Sequence, residues 1–179
     1  MNQCQEIQSA LRSLANEERK NGSEYFFKTG PGQYGEGDVF IGVSVPDSRK
    51  LAKRYIVADM GTIKCLLSSE VHEDRTCALH ILVLKYQQAA LANTAEAERF
   101  ATFYIDNLNR VNNWDLADTS ASYILGPHLM SLSKKEQKTL LDRLSGSENM
   151  WHRRVAIVGT FHLIRQGEYY WTMYLAENI

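Results

Sequence analysis

Apolar residues recur at helical spacing along almost the whole chain. Ile7, Ala10, Leu11, Leu14 and Ala15 predict a helix from Asn2 to Lys20, ended by Asn21-Gly22. A short aromatic segment follows, Ser23-Glu24-Tyr25-Phe26-Phe27-Lys28-Thr29, and then a loop, Thr29 to Asp38, with four glycines and a proline. Val39 to Val45 alternates weakly, but no second strand candidate of its quality exists, so it reads as a lone extended connector. Pro46-Asp47-Ser48 opens a helix through about Ala58, and Thr62 to Leu67 is a short one. Asp74 to Ala92 is a long helix with Ala78, Leu79, Ile81, Leu82 and Leu84, and Thr94 caps the next, which holds Ala97 to Leu108. A buried helix begins at Trp114, capped by Asn112 or Asn113, and is stopped by Gly126-Pro127 near Leu125. Ser133 with Glu136 forms a capping box for a helix that Gly146 ends. Asn149 caps another, from Met150 to about Gln166, and a last one starts at Tyr169.

This pattern has a period. Arg75, Trp114 and Arg153 lie 39 residues apart (114 − 75 and 153 − 114), and Ala78, Ala117 and Ala156 keep the same step. Each trio member sits on a long helix preceded by a shorter one. The step is close to that of HEAT-type helical pairs, roughly 40–47 residues. The predicted fold is therefore all-α, a HEAT-like helical-repeat solenoid (an α-α superhelix) in one domain over residues 1–179. Its concave face is expected to be basic and aromatic and to hold Arg75, Trp114, Asp118, Arg153 and Arg154.

Trp114 and Asp118, four apart, share one helix face at the start of their helix, and Asp115 is turned away. An aromatic ring beside a carboxylate suits a cationic or electron-poor ligand. On the pair alone a structural explanation outweighs that one: such a Trp is usually core or staple, and such an Asp complements the helix dipole. Trp151 reads as core, and Cys77 and His80 as core or interface residues.

Composition narrows the setting. With 44% hydrophobic and 23% charged residues, the chain is globular. No apolar run reaches membrane-spanning length and the start is no signal peptide, so no membrane is expected. Three widely spaced cysteines, Cys4, Cys65 and Cys77, suggest reduced thiols in a cytoplasmic protein, and five scattered histidines suggest no metal site. The glycine-rich loop lacks the G-K-[ST] ending of a phosphate-binding loop. The net charge of −1 lends nucleic-acid binding no support, although a local basic face would suffice.

Three segments together carry a resemblance. Lys28-Thr29-Gly30-Pro31-Gly32-Gln33-Tyr34-Gly35-Glu36-Gly37-Asp38-Val39-Phe40-Ile41-Gly42-Val43, Asn113-Trp114-Asp115-Leu116-Ala117-Asp118 and Trp151-His152-Arg153-Arg154-Val155-Ala156-Ile157 resemble, in order and spacing, segments of the AlkD-type DNA alkylation-repair family, the HEAT-like-repeat DNA glycosylases. The likeness covers essentially the whole chain. It implies an enzyme of base-excision repair that acts on duplex DNA bearing cationic N3- or N7-alkylpurines, with no cofactor and no metal. The family's catalytic Asp falls on Asp118, its sugar-facing Trp on Trp114 and its phosphate-contacting Arg on Arg154, while Arg153 becomes an additional backbone contact. A DNA-facing aromatic falls on Tyr25 or Phe26, and Lys28 and Tyr34 of the loop become further DNA contacts or simply pack over the first repeat. The family continues with at least one more repeat, so the resemblance implies a chain that stops in mid-helix at Ile179 without its last repeat. Two other readings stand beside the glycosylase: an inactive HEAT-like DNA-binding relative, and a HEAT-like scaffold that binds protein. A carboxylate at position 118, which would repel phosphate, favours the enzyme over the inactive binder, and the near-neutral charge favours the scaffold.

Overall fold

A computed structural model describes residues 2–92 and 94–178, and of Thr94 the backbone only. The expected cap at Thr94 and the expected ending at Ile179 lie outside what is described. Among the described residues there are ten α-helices: α1 Gln3–Arg12, α2 Glu17–Phe26, α3 Val45–Arg54, α4 Met60–Leu67, α5 His72–Ala92, α6 Thr94–Asp106, α7 Trp114–Ser131, α8 Lys134–Ser145, α9 Met150–Arg165 and α10 Tyr170–Asn178. A 3₁₀ turn, Leu108–Arg110, precedes α7. The chain is all-helical, as a helical-repeat solenoid requires, and Val39 makes only an isolated bridge to Val71. No helix among the described residues is long and apolar enough to cross a membrane. The chain divides into two compact units, Met1–Leu84 and Lys85–Ile179.

In the first unit the expected helix from Asn2 to Lys20 is two helices. Asn16 caps α2 by accepting from the Arg19 N–H, and Gly22 lies inside α2, where a side chain would meet open space. The early helix is thus interrupted by a cap that propensity alone does not reveal. The N-terminal half of α5 is buried on all sides, polar residues included: His72, Glu73, Asp74 and Arg75 are at most 5% exposed. Each has partners. Asp74 takes a two-point grip from Arg12 and bonds from Gln8 Nε2 (3.1 Å) and Ser69 Oγ (2.7 Å). Glu73 accepts the backbone N–H groups of Ile41, Gly42 and Val43, at 2.7 Å for Gly42. Asp38 meets Arg75 and His72, whose ring stacks on Phe40. Glu73 and Asp38 tie the glycine-rich loop and its connector to α5, and Asp74 ties α1 to it, since a buried charge is tolerated only when paired. Gly42, at φ +78°, brings its backbone against Asn16, whose carbonyl oxygen would lie 2.1 Å from a Cβ there.

The same unit corrects the cysteine reading. Cys4 on α1 and Cys65 on α4 form a disulfide across 61 residues, and Cys77 alone is a free thiol. The bond follows from packing: Ile7 and Leu11 bury one face of α1 in the unit's core, and α1 packs on α4. Such bonds persist in oxidising surroundings, so the cysteine count supports no cytosolic reading. Burial pushes the Cys77 thiol up to about 12, which removes its nucleophilicity near neutrality.

In the second unit α7 packs along α9, and α9 contacts α8 and α10. The capping box at Ser133–Glu136 and the caps at Asn113 and Asn149 form as the sequence predicts. Trp151 and Trp171 are buried, Trp171 donating its indole N–H to Gln137. Gly126-Pro127 does not stop α7, which runs on to Ser131. Gly126 serves close approach instead: a Cβ there would sit 2.4 Å from His162 Cβ and 2.7 Å from the Gly159 carbonyl oxygen of α9. Gly126→Ala is therefore expected to destabilise the protein by about 1–3 kcal/mol, read as a lower denaturant midpoint, because overpacking must push the helices apart.

Burial also holds His128, His152 and His162, all in this unit, below their ordinary value of 6.5. The unfolded chain takes up protons near that pH while the folded chain stays more neutral, so unfolding binds protons and stability falls on acidification. Thermal midpoints are expected to be lower at pH 5.5 than at pH 7.5. Equal or higher midpoints at the lower pH would contradict this.

Candidate functional site

The first turn of α7 is fixed from several sides. Asn113, fully buried, accepts the Trp114 N–H at 2.8 Å, so of the two candidate caps Asn113 is the one used. Ser120 bonds the Leu116 carbonyl and meets the hydroxyl of the buried Tyr104 at 2.9 Å, pinning α6 to α7. Leu116, Ala117 and Ala121 are fully buried behind this turn. Trp114 and Asp118, one turn apart on the same face, are both half-buried. Asp115 is spent on the N–H of Leu116.

Arg154, on α9, reaches Asp118 across the helix pair. Its Nε lies 2.9 Å from Oδ1 and its Nη2 2.8 Å from Oδ2, a parallel two-point ion pair. The hydrogen bond to Asp118 raises the Arg154 pKa above its ordinary value, against the lowering effect of burial. Both side chains keep about two-fifths of their surface in solvent, 38% for Asp118 and 42% for Arg154. The pair is thus accessible, charge-balanced and held on two packed helices. Water screens it, so it adds little to stability.

Arg153, expected as a backbone contact for DNA, is engaged with the protein's own backbone. Its Nη1 donates to the carbonyls of Ser147 (2.6 Å) and Glu148 (3.0 Å) in the turn before α9. In the first unit Lys28 places its ammonium 4.7 Å from the centre of the Tyr25 ring, and Tyr34 donates to the Phe26 carbonyl. Tyr25 and Phe26 are 80% and 60% exposed. These residues form one exposed aromatic and cationic cluster at the end of α2. Among the described residues no group of three or more His, Cys, Asp or Glu could hold a metal ion.

Sequence reasoning placed Asp118 and Arg154 in separate roles and missed their direct pairing, because residues 36 apart on different helices share no local pattern. It also missed the anchors Glu73 and Asp38. The serines of the turns were detectable: Ser69 and Ser147 are 78 apart (147 − 69), twice the repeat step.

No curated protein matches the chain by sequence. A family model described as DNA alkylation repair enzyme matches residues 7–179. The chain belongs to the DNA alkylation repair enzyme family.

Proposed function

We propose that the chain is a DNA glycosylase that hydrolyses the N-glycosidic bond of cationic N3- and N7-alkylpurines in duplex DNA. The observation that carries this reading is the exposed Asp118–Arg154 pair one turn from Trp114. A ligand that presents a cation beside an anion can exchange partners with such a pair. Alkylated nucleotides do so: the purine is positively charged and a phosphate flanks it. Asp118 then faces the deoxyribose and Arg154 the phosphate.

The chemistry suits these groups. A cationic purine is already a good leaving group, so its departure needs no general acid. The C1′–N bond breaks with its electron pair going to the purine, which leaves as a neutral base. Positive charge develops on the sugar, as in glycoside hydrolysis. A preplaced carboxylate stabilises that charge electrostatically, and the Asp118 oxygens can also orient the water that adds to C1′. The Trp114 face adds cation–π attraction that grows with the sugar charge. Arg154 holds the phosphate. The first unit, taken by itself, offers Lys28, Tyr25 and Tyr34 as candidate contacts to a nucleic-acid backbone.

Incubation with methylated duplex DNA tests this reading. Free 3-methyladenine and 7-methylguanine are expected in solution, with one abasic site left per base released. Repair that leaves the base attached and removes only its alkyl group would contradict it, as would intact lesions.

A further inference from the structure

We propose that Arg153 is a positioning residue: it locks the turn before α9 and thereby presents Arg154 to Asp118, and it does not contact DNA. The inference deepens the glycosylase reading and rests on it for the loss of base release alone.

A set of contacts recurs at twice the repeat step. Around Arg75, Nη1 donates to the carbonyls of Ser69 (2.9 Å) and Glu70 (3.0 Å), six and five residues earlier. Ser69 Oγ accepts the Val71 N–H at 3.1 Å and bonds Asp74, the residue before the arginine. Around Arg153, Nη1 donates to the carbonyls of Ser147 and Glu148, again six and five residues earlier. Ser147 Oγ accepts the Asn149 N–H at 3.2 Å and meets His152 Nδ1 at 3.1 Å, again the residue before the arginine. Every member keeps its offset. Arg75 is 1% exposed and sits on the buried half of α5, so this arrangement serves folding there. The repeat between them has Trp114 in place of the arginine, Leu108 in place of the serine, and a 3₁₀ turn with an Asn113 cap instead of the clamp. The middle repeat thus carries an aromatic residue where the other two carry the arginine.

The clamp at Arg153 matters because Arg154 is the next residue. A helix terminus frays unless its first turn is tied down. Asn149 bonds the Trp151 N–H at 2.9 Å, and Arg153 ties the same turn back to two carbonyls of the incoming chain. A two-point grip of a guanidinium on a carboxylate tolerates little displacement, so fixing the backbone here fixes the grip.

The test uses Arg153→Ala and Arg153→Lys in the full chain, with the Arg154 Nε–H followed by ¹⁵N NMR. This proton donates to Asp118 Oδ1 at 2.9 Å. In Arg153→Ala it is expected to exchange about tenfold faster, with single-turnover base release falling by about tenfold to a hundredfold, the scale of a small misplacement. The salt dependence of duplex binding is expected to stay unchanged. Arg153→Lys, which can still reach one carbonyl, recovers part of both losses and serves as the test if Arg153→Ala does not fold. In an Arg154→Ala background, Arg153→Ala is expected to cost no further activity, which general destabilisation would not reproduce. An unchanged Arg154 Nε–H with a salt slope reduced by about one would make Arg153 a phosphate contact and overturn the proposal. So would an equal activity loss with and without Arg154. If no base is released by the wild-type protein, the glycosylase reading fails, while the Nε–H exchange still decides the clamp.

Discussion

Asp118→Asn is expected to remove most of the base release while tightening the hold on undamaged duplex. Asparagine keeps the size and one acceptor oxygen of the side chain but carries no charge. The stabilisation of the developing sugar cation is lost, and deleting one preplaced electrostatic group typically costs about 10²–10³-fold in rate. Binding moves the other way for two reasons. The carboxylate that repels phosphate is gone, and Arg154 loses the anion that both of its bonded nitrogens now hold. The freed guanidinium becomes one more phosphate partner, so the salt dependence of binding should steepen by about one. Single-turnover excision and binding titrations at several salt concentrations read the two effects separately. Weaker binding together with slower release would mean that Asp118 acts by holding the fold.

Opening the Cys4–Cys65 disulfide is expected to have the largest effect on stability. The bond closes a loop of 61 residues, and the chain-entropy estimate for that length is about 4 kcal/mol. That is a large share of the stability of an ordinary domain. Among the contacts that still hold α1 are the burial of Ile7 and Leu11, the Arg12–Asp74 pair, the Gln8–Asp74 bond and the Tyr55 hydroxyl bond to Glu6 at 2.7 Å. Cys65→Ser, or reduction of the wild-type protein, should lower the thermal midpoint by several degrees or more. A thiol titration checks the bond itself. Denatured without reductant, the protein should show one reactive thiol, Cys77, and after reduction three. Three thiols before reduction would contradict the pairing, and an unchanged midpoint on reduction would contradict its energetic role.

Much of the architecture was legible because helices announce themselves locally. The Ser133–Glu136 capping box, the Asn149 cap and the three aligned alanines each appear in the sequence, and each forms a cap or a fully buried helical position. Gly126 and Gly22 misled for one reason. A glycine in a sequence does not say whether it ends a helix, permits close packing or merely faces solvent, and Gly126 permits packing while Gly22 faces open space. The disulfide was hidden because nothing near Cys4 or Cys65 in sequence announces that α1 and α4 pack together.

The site divides in the same way. Trp114 and Asp118 share a helix face by spacing alone. The pairing of Asp118 with Arg154 depends on how α7 meets α9, which the two glycines at that contact control. Arg153 and Arg154 look interchangeable in sequence, yet one donates inward to carbonyls and the other reaches the carboxylate. Adjacent positions on a helix point about 100° apart, so neighbouring arginines take different work.

The most direct test of the account compares two duplexes of one sequence under single-turnover conditions, one with a single N7-methylguanine and one with a single hypoxanthine. The first lesion is cationic and the second neutral. An Asp118-centred site that stabilises sugar charge, without a general acid, should release the methylated base and leave hypoxanthine in place. Comparable release of both bases would contradict the account, because a neutral purine must be protonated as it leaves. Release of neither would contradict it as well.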